Sequence, residues 1–338
     1  MSHKGSYFIK VTGNLKALIF IIFILLIAFY IRESFSQKEA GKSGILMDTF
    51  ISIKLWGRDS KKVSEICWQA LEKLDQKLNR FNPESEIYKI NENSGKWVEV
   101  SEEVEDILRK AKYYAQISDG LFDPTIGPLM KLWGFYNGKL YIPTEKELRN
   151  ALEKVNWKDL EISNRKVRLK KKGMSIDLGG IAKGYAVQRL IDISKNFDLE
   201  RVYLDIGGTI GVYGKPLNGD YWEVGIRHPR KNGILGKVKI KKGVVATSGD
   251  YERFFIKNGK RYPHIINPKN GFPSSDMMSV TVISEDGTSA DALSTLFFVL
   301  GEKGKEFWKN KFPNIGLVMV DKDGNIWKSD NIYFEEEK

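Results

Sequence analysis

The stretch "SVTVISEDGTSADALSTLFFVLG", residues 279–301, decides how the rest of the chain is read. Its first five residues are β-branched or small and read as a strand over 279–283. From Ser289 onward the pattern is helical, with an apolar body of Leu293, Leu296, Phe297, Val299 and Leu300. A strand and an apolar helix joined by a short polar turn belong to one core. Yet the start of the helix carries Asp291 and, four residues later, Thr295. With Ser289 as the cap, Asp291 falls in the first turn, where a negative charge suits the helix dipole. Positions i and i+4 share a helix face, so the carboxylate and the hydroxyl can reach one point. Such a pair suits a hard cation such as Mg²⁺, which keeps several waters and takes phosphate oxygens as further ligands. A bland account also fits: a dipole partner, and a threonine bonding back to its own helix.

Working outward, residues 45–56 alternate and read as a strand, and residues 60–80 carry a helical stripe of Val63, Ile66, Leu71, Leu74 and Leu78. Ser101 starts another helix, with Glu102 and Glu103 in its first turn. Thr144 and Glu147 have capping-box spacing. Strands are expected at 167–169, 175–178, 201–206, 221–226, 237–240 and 244–248, with helices starting near Gly180 and Lys303. This mixture predicts an α+β fold, mostly antiparallel sheets with packed helices, in one large domain over 45–338. Residues 1–37 read as an N-terminal signal or membrane anchor, and 38–44 as a linker.

The 338 residues carry a formal net charge of +11, of which Lys4, Lys10, Lys16 and Arg32 against Glu33 supply +3. A dispersed basic excess suits anionic ligands or an anionic membrane surface. No zinc-finger spacing or basic heptad helix is present, so no nucleic-acid partner is expected. Cys67 is the single cysteine, which excludes a disulfide within the chain. With three histidines and one cysteine, an ordinary closed zinc site is out of reach. Residues 17–31 form an unbroken apolar run after three lysines. That order favours an N-in orientation, with everything after the run outside the cytoplasm. A retained anchor is preferred over a cleaved signal peptide, and both export the domain.

Three further stretches carry chemistry. In "SIDLGGIAKGYAVQRL", residues 175–190, Asp177 ends a strand, Gly179 and Gly180 follow, and Lys183 lies in the first turn of a helix. Paired glycines let backbone approach a ligand, and a helix N-terminus attracts anions. A cation there opposes the dipole, which makes more sense beside a phosphate. A tight strand–helix turn with a solvated lysine is the alternative. In "YPHIINPKNGFP", residues 262–273, rigid turns frame His264, a residue able to take or give a proton near neutrality. It could equally be a surface-turn histidine. In "SDGLFDPTIGPLMKLWGF", residues 118–135, a stiff loop presents Phe122, Asp123 and Trp133, suited either to a planar ligand or to closing a core.

Together and in order, these stretches, with "RFNPESEI" (80–87), "YLDIGG" (203–208) and "ATSGDYERFF" (246–255), resemble the FAD:protein FMN transferase (ApbE-like) family over nearly all of 45–335. The resemblance implies a Mg²⁺-dependent enzyme that splits FAD and attaches FMN to a threonine of a target flavoprotein, releasing AMP. It implies metal ligands at the Gly180 carbonyl, Asp291 and Thr295, and Lys183 facing the FAD phosphates. It implies flavin-site positions at Met47, Phe81, Leu121, Phe122, Asp123, Asp177 and Ile265, and His264 as the group that activates the acceptor hydroxyl. The acceptor it implies is a flavoprotein, a membrane electron-transfer subunit. The setting is the bacterial cell membrane, with the catalytic domain on its extracytoplasmic side. Two departures stand out: Met47-Asp48-Thr49 replaces the family's usual Met-Gly-Thr, and no lipoprotein cysteine is present. An FAD pyrophosphatase giving FMN and AMP, or a flavin-binding protein without turnover, would use the same pocket.

Overall fold

The structure, a computed structural model, describes residues 17–27 and 39–337. Its frame is an eight-stranded sheet: β1 (Glu39–Leu46), β2 (Thr49–Trp56), β3 (Arg201–Ile206), β4 (Thr209–Gly214), β5 (Gly243–Gly249), β6 (Met277–Ser284), β7 (Gly316–Asp321) and β8 (Ile326–Lys328). The spatial order of these strands equals their chain order, and every neighbouring pair is antiparallel. The sheet is thus a meander with helices and smaller sheets inserted between its strands, as expected for an α+β domain. Four helices matter most here: α1 (Ser60–Leu78), α2 (Glu102–Ile117), α3 (Ala182–Ser194) and α4 (Gly287–Leu300).

Both faces of the central strands are buried, and alternation sorts their side chains into two cores. Val244, Ala246, Leu317 and Met319 join the main core with α1, α3 and α4. Val245, Val318 and Val320 face the other way, against a three-stranded sheet built from 222–227, 234–240 and 334–336. A third, satellite core gathers Leu129, Trp133, Phe135, Leu148 and Ile266. The capping box forms as read, with the Thr144 side chain accepting from Glu147 N and Glu147 accepting from Thr144 N.

Several boundaries differ from the sequence reading. The linker read over 38–44 is largely a strand, since residues 39–46 pair with 49–56 along their whole length. The single strand expected over 45–56 is therefore two strands around a tight turn at Met47 and Asp48, both left-handed with φ of 53° and 57°. Glycine adopts that conformation freely, and aspartate tolerates it better than most residues. Residues 175–178 form no strand, only one parallel bridge between Ser175 and Ile126. Helix α4 begins earlier than read: Asp286 is its cap and accepts from Ser289 N, so Asp291 lies in the second turn.

Residues 17–27 are helical, with exposed side chains. Among the described residues no helix is long and apolar enough to cross a membrane. The rest of the segment read as a signal or anchor, 1–16 and 28–37, lies outside the described residues.

Candidate functional site

The site forms where α3 and α4 meet. Glycines make the contact possible: a Cβ at Gly184 would fall 2.1 Å from the Gly287 carbonyl oxygen and 2.5 Å from Asp291 Cβ. No other residue allows the helices so close. This crossing sets Asp291, buried at 4% exposure, against the start of α3. Its Oδ2 accepts from Gly184 N at 2.8 Å, and Lys183 N donates to the carboxylate as well. Asp291 thus caps a helix whose own cap position, Ile181, offers no side-chain acceptor. Burial pushes the Asp291 carboxyl above its usual range, opposed by the nearby Lys183 charge and these two amides. Among the described residues it forms no ion pair.

Thr295 stands one turn further along α4. A Cβ on Gly180 would meet its Oγ1 at 3.0 Å and Phe122 Cε2 at 3.3 Å, so turn, hydroxyl and aromatic ring are in contact. The Ser248 hydroxyl bonds Ser294 Oγ at 2.8 Å and lies 3.3 Å from Thr295 Oγ1. The pair read from i,i+4 spacing is therefore joined by the Gly179–Gly180 turn. Among the described residues no three His, Cys, Asp or Glu side chains converge on one point. The available donors are one carboxylate, one hydroxyl and one backbone carbonyl. That set fits an ion that completes its shell with water and phosphate oxygens, and a buried carboxylate without a cation partner fits it further.

Asp177 closes the other side of the turn. Its Oδ1 accepts from Gly179 N at 2.7 Å, and its Oδ2 accepts from Arg80 Nη1 at 2.9 Å and Tyr136 Oη at 2.6 Å. Burial works to raise its pKa, but the Arg80 charge and these hydrogen bonds outweigh it and hold the carboxyl below the usual range. Phe81, next to Arg80, is 54% exposed and packs edge-on against Tyr136 at 5.6 Å. Phe122 is buried and packs edge-on against Tyr114, while Leu121 lies half-buried beside it. Asp123 is engaged within the fold: Thr125 N, Thr125 Oγ1 and Trp157 N all donate to it.

Met47 occupies the β1–β2 turn, and its amide donates to Asp75, whose carboxyl burial raises. That turn adjoins the Gly207–Gly208 turn, because β2 pairs with β3 and Gly207 N donates to the Phe50 carbonyl at 3.0 Å. Lys183 Nζ in turn reaches the Gly207 carbonyl at 3.4 Å.

His264 arrives from a separate hairpin, Phe254–Lys257 paired with Lys260–Pro263. Its amide and its Nδ1 both point at the Arg253 carbonyl, at 2.9 and 3.2 Å. A carbonyl can only accept, so Nδ1 carries the proton and Nε2 is left with its lone pair. Burial, then the charges of Arg253 and Lys183, push the imidazole down to about 4. It is neutral at physiological pH. Ile265 is buried beside it, and its carbonyl accepts from Ser274 N at 2.8 Å. A separate concavity of about 370 Å³, bordered by His228, Arg230, Met278 and Glu336, shares no residue with this constellation.

Sequence reading missed three participants. Arg80 opens the quoted stretch 80–87 and Tyr136 directly follows the stretch 118–135, but neither carried a pattern of its own. Asp75 was hidden on the polar side of α1.

The chain matches the model of the ApbE family over residues 47–319. It is 33% identical to the FAD:protein FMN transferase of Klebsiella pneumoniae over 291 residues, covering 84% of this chain and 90% of the relative. The FAD:protein FMN transferase of Treponema pallidum is 28% identical over 319 residues, covering 87% and 88%. Among solved structures, the ApbE protein of Thermotoga maritima superposes with a TM-score of 0.79 at 35% identity, covering 87% of this chain and 97% of the other. The flavin transferase ApbE of Vibrio cholerae gives a TM-score of 0.77 at 26% identity, covering 87% and 98%.

Proposed function

The chain belongs to the ApbE family and is an FAD:protein FMN transferase, and from that premise we propose that it moves FMN onto a threonine hydroxyl with the help of Mg²⁺. The observation that carries the metal proposal is the buried Asp291 carboxylate, unpaired by any cation among the described residues and one turn from a Thr295 hydroxyl in contact with Gly180. Asp291, Thr295 and the Gly180 carbonyl would hold the ion. When bound, Mg²⁺ neutralises the pyrophosphate and steadies the charge gathering on the departing AMP phosphate.

The chain's own residues supply the rest. Phe81, Phe122, Leu121, Met47 and Ile265 offer apolar surface to the isoalloxazine, Asp123 stiffens the loop that carries Phe122, and Asp177 holds the Gly179–Gly180 turn at the edge of the flavin pocket. Lys183 places a positive charge beside the pyrophosphate. Neutral His264 takes the threonine proton at Nε2. The threonine oxygen then bonds to the FMN phosphorus, the bond from that phosphorus to the bridging oxygen breaks, and AMP leaves with the electron pair. A base near the hydroxyl contributes roughly 10²–10⁴-fold.

The exposed apolar helix at 17–27, following Lys4, Lys10 and Lys16, supports a membrane-attached enzyme. The working side would be extracytoplasmic, and the acceptor a membrane-bound flavin-carrying electron-transfer subunit. The decisive experiment incubates the protein with FAD, Mg²⁺ and a candidate acceptor and reads the acceptor's intact mass. A covalent FMN adduct is expected. Free FMN and AMP without an adduct would make the enzyme a pyrophosphatase on that acceptor.

A further inference from the structure

Arg80 follows the end of α1 by two residues and directly precedes Phe81. Its Nη1 donates to Asp177 Oδ2 at 2.9 Å, to the Ile176 carbonyl at 3.0 Å and to the Tyr136 hydroxyl. Its guanidinium carbon lies 3.6 Å from the centre of the Tyr136 ring. Tyr136 donates to the same Asp177 oxygen at 2.6 Å, and the other Asp177 oxygen takes Gly179 N at 2.7 Å. A continuous chain therefore runs from guanidinium to carboxylate to the backbone of the glycine turn.

Two facts argue that this chain does more than fill space. A buried ion pair is seldom more stabilising than apolar side chains of equal volume. Among the described residues Arg80 Nε is buried without a hydrogen-bond partner, while Nη1 makes three contacts that fix how the guanidinium lies. The recipient of the brace also needs one. Gly179 and Gly180 are the most conformationally free residues available, yet Gly180 must stay against Thr295 Oγ1, where a Cβ would be crowded at 3.0 Å. We infer that Arg80 is a positioning residue of the donor site: through Asp177 it fixes the Gly179–Gly180 turn in the shape that receives the FAD pyrophosphate. The inference rests on the donor-site reading above.

The test separates the two halves of FAD. ADP carries the pyrophosphate without the flavin, and riboflavin carries the flavin without any phosphate. Binding of each is measured by calorimetry or flavin fluorescence, with Mg²⁺ and with EDTA, for the unsubstituted protein, Arg80→Met, Arg80→Lys, Asp177→Asn and Phe81→Ala. Groups that support a ligand site from behind typically change affinity by roughly 10–100-fold when removed. We expect Arg80→Met to weaken Mg²⁺-dependent ADP binding by that factor and riboflavin binding by less than about twofold. Phe81→Ala should do the reverse. Arg80→Lys keeps a charge for Asp177 but cannot serve three acceptors in the same way, and should recover part of the ADP affinity. It also covers the case in which Arg80→Met does not fold. In an Arg80→Met/Asp177→Asn double variant the losses should not add, because both act through one bracket. Equal losses for ADP and riboflavin, no loss for either, or additive losses in the double variant would overturn the inference. Absence of Mg²⁺-dependent ADP binding by the unsubstituted protein would instead refute the donor-site reading beneath it.

Discussion

Asp291 has two duties that one substitution confounds and a second separates. Its carboxylate caps α3 by accepting from Gly184 N at 2.8 Å and from Lys183 N, and it is the proposed metal ligand. Asp291→Ala removes both. Losing a cap costs about 1 kcal/mol, which in a domain of this size lowers Tm by roughly 2–4 °C. Asp291→Asn keeps one acceptor oxygen for the amides, removes the charge and puts an NH2 donor in place of the second oxygen. Because burial already disfavours the ionised carboxyl, the Asn variant should melt no lower than the unsubstituted protein when EDTA is present. Added Mg²⁺ then distinguishes them. At a hundredfold excess over its Kd a ligand stabilises the folded state by about 2.7 kcal/mol, so the unsubstituted protein should gain several degrees. Asp291→Asn should gain almost nothing and should transfer no FMN. The assay is a melt with and without Mg²⁺ beside acceptor mass. An Asn variant with an undiminished Mg²⁺ shift, or with full Mg²⁺-dependent transfer, refutes the metal assignment. An Asn variant that fails to fold shows that the carboxylate is a structural group.

Four further expectations stand beside it, three on His264 and one on the N-terminal segment. His264→Ala should bind FAD nearly as well as the unsubstituted protein but transfer FMN about 10²-fold more slowly; equal loss of binding and transfer would make the imidazole a binding group. Since His264 is held near 4 instead of 6.5, the acid limb of kcat/KM should lie near pH 4, and a limb near 6.5 would contradict the shielded neutral base. The same depression makes His264 contribute stability that is fully present above 6.5 and lost as pH falls toward 4, because the unfolded chain takes up the proton first. A C-terminal reporter active only outside the cytoplasm should be active on the full-length chain, and strong activity from a strictly cytoplasmic reporter would overturn the proposed topology.

The elements that sequence revealed are those whose own side chains carry the signal. The strand at 201–206 and the capping box at Thr144 are local patterns, and the structure reproduces them. What escaped depends on partners distant in sequence. Strand 39–46 reads "EAGKSGIL" and looks like a linker, because it is a half-exposed edge strand held mainly by its ladder to 49–56. The turn inside 45–56 has neither glycine nor asparagine to announce it. The cap of α4 lies three residues before Ser289, since Gly287 disguises the first helical position. Within the site, i,i+4 spacing brought Asp291 and Thr295 to one face, but nothing local told that Asp291 caps a helix 107 residues away. Arg80 likewise meets Asp177 across 97 residues, and only the fold reveals the pair.

The hairpin that delivers His264 has only two strands, and a free-standing ribbon of that size is marginal in water. It is propped by stacked rings: Phe255 on Tyr262 at 4.9 Å and Tyr262 on Trp133 at 5.8 Å. These rings belong to the satellite core, whereas Asp291 and Thr295 ride on α4 in the main one. The proposed proton acceptor and metal donors therefore stand against different packing clusters, and such units can open at different free energies. Amide protons of the ribbon should exchange well before those of α4. A lesion in the ring stack would leave the bulk melting curve almost untouched while disarming the enzyme, so a preparation could pass every test of global foldedness and still be inert.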